Sequence, residues 1–453
     1  MSMFKGFSNA FKIPELRKKI LITLGLVAVC RLVSQIPTPG VDWKALQDAI
    51  ADIRQNSGGG MLDWFDVFTG GALGQCAIGF LSIWPYISAQ IVIQLLSSVI
   101  PSLEKLKKEG ESGRQRLAQI TRYLTIVICV VQSWTIATVL LNPQTLGISK
   151  QIVVSGSPLG FRLMTVIGMT SAALFVMWLA DQITTFGIGN GGSLIIMINI
   201  TSRLPHAISA AYSRYFGSTS EHSPVELAML LIFGFLVVMG TVLLTQGVRK
   251  VAIHATRRSM AMGNTYGMQQ TFMPLRVNYT GVMPIIFAQP ILQVLGWLFK
   301  KIPWEPCQAF GGHLSDMGSA THLIIYAIVI MFFCFFWVAT QFNAVDISEN
   351  LKKDGSYVPG IRPGMQTAEY LDAVMTRITL IGGTGLLIVA ILPQLLSGAF
   401  EIPWAISSFF GGTSLLIIVG VALDTLRIME SHLLVRKYEG FLRHGTLRGR
   451  GGV

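Results

Sequence analysis

Residues 225–246 read VELAMLLIFGFLVVMGTVLLTQ, and Glu226 near the start is the only charge in the run. A helix of this length rises about 33 Å, enough to cross the ~30 Å hydrocarbon core of a bilayer. Comparable runs recur near 20–36, 77–100, 118–141, 159–181, 192–212, 277–300, 321–343, 371–396 and 408–429. The chain is therefore expected to be an all-α polytopic membrane protein with about ten transmembrane helices. These segments do not alternate in polarity, which excludes a transmembrane β-barrel. Composition agrees: of 453 residues 51% are hydrophobic and 13% charged, against about 25% charged in a soluble domain. The mean hydropathy is +0.57.

The net charge of +12 lies almost wholly between the apolar runs. If the N-terminus is inside, the inner segments hold 24 of the 35 lysines and arginines and the outer ones 8. That excess sets both termini on the cytoplasmic side. The start, MSMFKGFSNAFKIPELRKKI, is polar and basic, without the compact apolar core of a cleaved signal peptide. The expected organisation is a cytoplasmic segment 1–19, a five-helix half 20–212, a second half 213–429 and a cytoplasmic tail 430–453. Two sets of five spans suit a pseudo-symmetric inverted repeat. Residues 61–69 are apolar but too short to span, and they sit between Ser57-Gly58-Gly59-Gly60 and Gly70-Gly71. A short half-helix entering from one face is expected there.

The span interiors lack lysine, and Asp181, Glu226, Asp372 and Asp424 fall near span ends. Ion-coupled transporters keep ionisable groups at depth, so an inverted-repeat secondary transporter is the weaker alternative and passive conduction the better one. Arg31 is the one charge well inside a span, where it must either pair or snorkel. Gln90, Gln94, Ser97 and Ser98 share one face of the second span, with Gln132 in the third and Asn199 in the fifth. Such a face serves either ordinary interhelical hydrogen bonding or a seam that opens.

Nothing in the sequence points to an enzyme. Gly187-Ile188-Gly189-Asn190-Gly191-Gly192 fits GxGxxG, but a membrane helix precedes it where a nucleotide site needs a strand. A tight hairpin between spans is expected instead. Cys30, Cys76, Cys129, Cys307 and Cys334 form no CxxC pair, and the seven histidines form no HExxH. No metal and no cofactor is expected. Two basic loops, 247–276 and 344–368, exceed what a helix connection requires. The first carries Arg249, Lys250, Arg257 and Arg258; the second is stiffened by Pro359 and Pro363 around Arg362. A rigid basic projection suits docking to an acidic surface such as ribosomal RNA or an acidic motor.

Several runs together resemble the SecY family. They are Gly70-Gly71-Ala72-Leu73, Pro85-Tyr86-Ile87-Ser88-Ala89 and Ile93-Gln94-Leu95-Leu96, then Lys107-Lys108-Glu109-Gly110-Glu111-Ser112-Gly113-Arg114. The glycines 187–191, Pro359-Gly360-Ile361-Arg362-Pro363-Gly364 and Gly411-Gly412-Thr413-Ser414-Leu415-Leu416-Ile417 continue the match in order. The resemblance implies a protein-conducting channel of the bacterial inner membrane, clasped by SecE and usually SecG, and driven by the SecA ATPase or the ribosome. Its clients are unfolded secretory proteins with signal sequences and membrane helices released into lipid, with no small-molecule substrate. It also implies a pore ring at Ile83, Ile87, Ile196, Ile286, Leu298 and Ile417, which would seal by dewetting. The plug would be 61–70, with Leu62, Trp64, Phe65, Val67 and Phe68. A lateral gate is implied at Ser88, Gln94, Gln132 and Val294. Docking to SecA or the ribosome falls to Arg249, Lys250, Arg257, Arg258, Arg362 and, in the tail, Tyr438.

Overall fold

The computed structural model describes residues 13–48, 50, 66, 69–143, 152–154, 157–216, 224–255, 271–316, 318–400 and 412–444. Contacts divide the chain into two compact units, Met1–Pro205 with Val421–Val453, and His206–Gly420.

The first unit is built from α1 (Pro14–Val33), a 3-10 turn (Ile78–Leu81), α2 (Trp84–Val99), α3 (Pro101–Lys108), α4 (Glu111–Leu141), α5 (Pro158–Phe186) and α6 (Gly191–Thr201). Proline opens several helices of the chain: Pro14, Pro85, Pro101, Pro158, Pro284 and Pro306 each hold one of the first two positions. There its missing N–H costs nothing and its fixed φ suits the first turn. In this unit α4 packs on α5 and α2 on α4. Cys129, Ala137, Ile152, Phe161 and Met169 form the buried centre between them.

The second unit contains α7 (Leu204–Phe216), α8 (Pro224–Gln246), α9 (Met283–Lys301), α10 (Glu305–Ser315), α11 (Ala320–Gln341), α12 (Ala344–Lys353) and α13 (Met365–Phe400). The last helix, α14, runs Gly412–His444. Ile285, Ala288, Leu292, Leu314, Ile330 and Leu386 are the buried heart of this unit. Pro290 lies inside α9, so the carbonyl of Ile286 has no helical N–H to accept.

Among the described residues eight helices are long and apolar enough to cross a membrane. Residues 225–246 keep their place in α8, where only 22% of the apolar window is buried. Met229, Ile232, Phe235, Leu236 and Leu243 face outward there, as a lipid-facing helix requires. The expected spans 20–36 and 408–429 correspond to α1 and α14, both helical with charged flanks.

Three features were not expected. The run 77–100 is not one helix: Ser82, at φ 47° and ψ −136°, separates the 3-10 turn from α2. The run 192–212 is likewise broken between α6 and α7. Loops 247–276 and 344–368 also carry a small antiparallel sheet, β1 (Val248–Ala255), β2 (Thr271–Arg276) and β3 (Ser356–Tyr357), in the order β2-β1-β3. Its register pairs Val248 with Arg276 and Ile253 with Thr271, and His254 with Tyr357. Val251 and Leu275 bury themselves against Val358, Leu371 and Met375. Pro274 is tolerated because β2 is an edge strand.

Candidate functional site

The polar centre of the first unit gathers where its helices are interrupted. Arg31, near the end of α1, donates from Nη1 to Asn199 Oδ1 at 3.2 Å and from Nη2 to the Gly70 carbonyl at 2.9 Å. Asn199 on α6 is 1% exposed, and its amide donates to Ser82 Oγ at 2.9 Å. Thus the intramembrane cation pairs rather than snorkels, and the residue at the break in the second span belongs to the same network. Arg203, in the gap between α6 and α7, forms an ion pair with Asp66. The Arg203 side chain is 24% exposed and that of Asp66 7%.

Both arginines press on the Gly70-Gly71 turn. Gly70 has φ +66° and Gly71 φ +94°, a region that favours glycine. A Cβ on Gly70 would lie 2.3 Å from Arg31 Nη1, and one on Gly71 3.0 Å from Arg203 Cζ. No side chain fits at either position unless an arginine moves. The turn is further closed by Gly71 N–H donating to the Asp66 carbonyl at 3.0 Å. The expected plug residues Leu62, Trp64, Phe65, Val67 and Phe68 lie outside the described residues.

The expected ring residues divide between the units. In the first, Ile83 and Ile87 are one turn apart, 2% and 6% exposed, and linked by Ile87 N–H to the Ile83 carbonyl at 3.2 Å. Ile196 is half-buried on α6, whose Gly192 comes within 3.5 Å of Ile83 Cδ1 at the position of a Cβ. In the second unit Ile286 and Ile417 are buried on α9 and α14. Leu298 is exposed and follows Ile286 by twelve residues on α9, which is roughly 18 Å of helix. Two positions that far apart along one helix lie at different depths, so a ring that includes Ile286 would not include Leu298.

Of the seam residues, Ser88 on α2 spends its hydroxyl on the Trp84 carbonyl at 3.0 Å. Gln94 is half-buried on α2, and Gln132 on α4 keeps a buried Oε1 without a hydrogen-bond partner. Val294 is exposed on α9. Among the docking residues, Arg249 and Lys250 are exposed on β1, and Arg362 is exposed in a turn whose Gly360 and Gly364 both have positive φ. Arg257 and Arg258 lie outside the described residues, as does the side chain of Tyr438.

The glycine motif 187–192 forms a hairpin between α5 and α6. Asn190 caps α6 by accepting from Ser193 N–H at 3.2 Å, and Thr184 Oγ1 accepts from Gly191 N–H at 2.9 Å. A Cβ on Gly191 would stand 2.0 Å from the Ala180 carbonyl oxygen, so α6 abuts α5 backbone to backbone. The helix α5, where a strand would be needed, leads directly into the motif, which rules out the dinucleotide geometry.

A buried aliphatic set beside interrupted polar helices suits a gated passage, and known proteins of that kind match this chain. The family model for SecY matches residues 77–426. The chain belongs to the SecY family. It is 37% identical over 451 residues to the protein translocase subunit SecY of Thermotoga maritima, covering 99% of this chain and all of that one. To the SecY subunit of Streptomyces coelicolor it is 39% identical over 97% of its length, again covering all of the relative. To that of Escherichia coli K12 it is 37% identical, with 96% of each chain covered. In fold it is similar to a solved protein conducting channel, with TM-score 0.58 and 14% identity over 96% of this chain and 95% of the other. This SecY-family chain is a multi-pass membrane protein and a protein-conducting channel subunit, not an enzyme. The transporter alternative is not favoured.

Proposed function

We propose that this chain is the pore subunit of a bacterial inner-membrane Sec translocase, with both termini cytoplasmic and halves near 20–212 and 213–429. It conducts unfolded secretory chains and releases membrane helices sideways into lipid. SecE and SecG complete the complex, and SecA or the ribosome supplies the driving energy. The observation that carries this reading is the full-length identity to protein translocase subunits. A Sec61 chain from a canine ribosome-channel complex, similar in fold at TM-score 0.55 and 14% identity over 96% of this chain and 95% of that one, supports the ribosome as a partner.

Ile83, Ile87, Ile196, Ile286 and Ile417 line the constriction, where apolar side chains disfavour water and ions until a polypeptide parts them. Segment 61–70 is the plug, held at rest by the arginine contacts to Gly70 and Asp66. Ser88, Gln94, Gln132 and Val294 border the lateral gate. Arg249, Lys250, Arg257, Arg258 and Arg362, with Tyr438, face the motor or ribosome.

The test is proximity of a moving substrate. The five native cysteines are replaced, Ile87→Cys is introduced, and a secretory precursor with its own cysteine is stalled midway through export. A disulfide adduct that requires SecA and ATP is expected. Active export with adducts only at lipid-facing control sites would overturn the assignment.

A further inference from the structure

The hairpin of α9 and α10 carries a feature that conduction does not explain. Its two helices close on each other through glycine: a Cβ on Gly296 would meet Ser315 Oγ at 2.6 Å, and one on Gly311 the Gly296 carbonyl at 2.8 Å. Phe299 and Phe310 stack edge to face at 5.3 Å. The tip beyond this contact is consequently held in place, yet Lys300, Lys301, Ile302, Pro303 and Trp304 are all exposed. Trp297 and Trp304 are 57% and 64% exposed. Lys301 Nζ sits 5.0 Å from the centroid of the Trp297 ring.

We propose that this tip binds the head group of an anionic phospholipid. A tryptophan with an apolar body and a polar N–H is best placed at the boundary between acyl chains and head groups. Here α9 is a candidate membrane-spanning helix that ends at the tip, so Trp297 and Trp304 are carried to that boundary. Two adjacent lysines favour a phosphate there, and among the described residues neither forms an ion pair with a carboxylate. Glu305 is the only acid between 297 and 306, leaving a net charge of +1. The ring under Lys301 orients the ammonium without neutralising it. A protein partner would cover the tryptophans equally well, but two lysines beside the end of a span, with a net charge of +1 over the tip, complement an anionic lipid surface.

The test places the purified complex in nanodiscs of phosphatidylcholine containing a fixed share of brominated lipid, either phosphatidylglycerol or phosphatidylcholine. Fluorescence of Trp297 and Trp304 is taken as the difference between the parent and the Trp297→Phe/Trp304→Phe chain. Both leaflets are present in a nanodisc, so the result does not depend on orientation. A lysine beside an anionic surface is worth up to about fivefold in local enrichment. Quenching by brominated phosphatidylglycerol should therefore exceed that by brominated phosphatidylcholine by roughly two- to fivefold. Lys300→Gln/Lys301→Gln should erase the excess and retain phosphatidylcholine quenching, which also reports that the hairpin is intact, while Lys300→Arg/Lys301→Arg should keep it. Equal quenching by both lipids, or an excess that survives the glutamine pair, would overturn the proposal. So would quenching by neither, which would place water or a protein partner at the tip.

Discussion

Removing the Arg203 charge should unfasten the Gly70-Gly71 turn. In Arg203→Gln the Asp66 carboxylate, whose side chain is 7% exposed, loses the charge of Arg203. Breaking one side of a fully buried pair costs about 3–5 kcal/mol. With Arg203 a quarter exposed, solvent already screens part of the interaction, and about 2–3 kcal/mol is the appropriate range. That is roughly 30- to 150-fold in an equilibrium constant. The Arg31 bond to the Gly70 carbonyl remains, so the lower end is expected. The assay is ion conductance of the reconstituted complex in planar bilayers without substrate, read as the fraction of time open. Arg203→Gln should raise that fraction by about 30-fold, and Asp66→Asn alone by less, because its amide can still accept a hydrogen bond. The double change, with no buried charge left over, should return most of the seal. A resting open fraction in Arg203→Gln equal to the parent's, in complexes of unchanged amount, would refute the reasoning that this pair holds the turn.

Arg362→Glu should leave the complex intact while lowering SecA-driven export roughly tenfold, since reversing an exposed charge acts on docking; normal export in a vesicle assay would remove Arg362 from the docking surface. Gly191→Ala should destabilise the complex by about 1–3 kcal/mol, because the new methyl meets the Ala180 carbonyl at 2.0 Å; the readout is a lower Tm. Burial pushes the Cys76 thiol from 9.0 up to about 11, so near pH 7 almost none of it is the reactive thiolate. Maleimide labelling followed by mass spectrometry should find it inert there, rising about tenfold per pH unit, with Cys307 as the accessible control. The sign for stability follows: the contribution of the protonated thiol is complete below 9.0 and lost between 9.0 and about 11.

Much of this architecture was legible because hydropathy adds up along the chain. Spans such as 225–246 and 159–181 needed only length and the scarcity of charge. The demand that Arg31 find a partner was also legible, from the cost of a cation in hydrocarbon. The identity of the partners was not: Asn199 is 168 residues away and the Gly70 carbonyl 39, and no sequence signal links such positions. Window sums also pass over a single broken residue, so Ser82 and the α6–α7 gap were invisible to them. The strand Val248–Ala255 was masked by its basic residues, which made the loop look like a topology signal. Only Val251 and Ile253 hint at alternation there, too short a pattern to stand alone. In the sequence Gly70 and Gly71 stand as flanks of a short apolar segment; the structure adds that each has positive φ and an arginine against it, so a side chain there displaces the arginine.

The bond between Arg31 and Asn199 also has a history within each molecule's synthesis. A ribosome adds about 5–20 residues per second, so the 168 residues between them take roughly 10–30 s. Throughout that interval α1 has been made and its arginine has no amide to meet. The turn at Ser82 waits on the same residue, because Asn199 also donates to Ser82 Oγ. An exposed break in a helix costs several kcal/mol per unsatisfied group in lipid. The early helices of this chain must therefore be sheltered, by water, by lipid head groups or by whatever inserts them, until α6 emerges and locks them together.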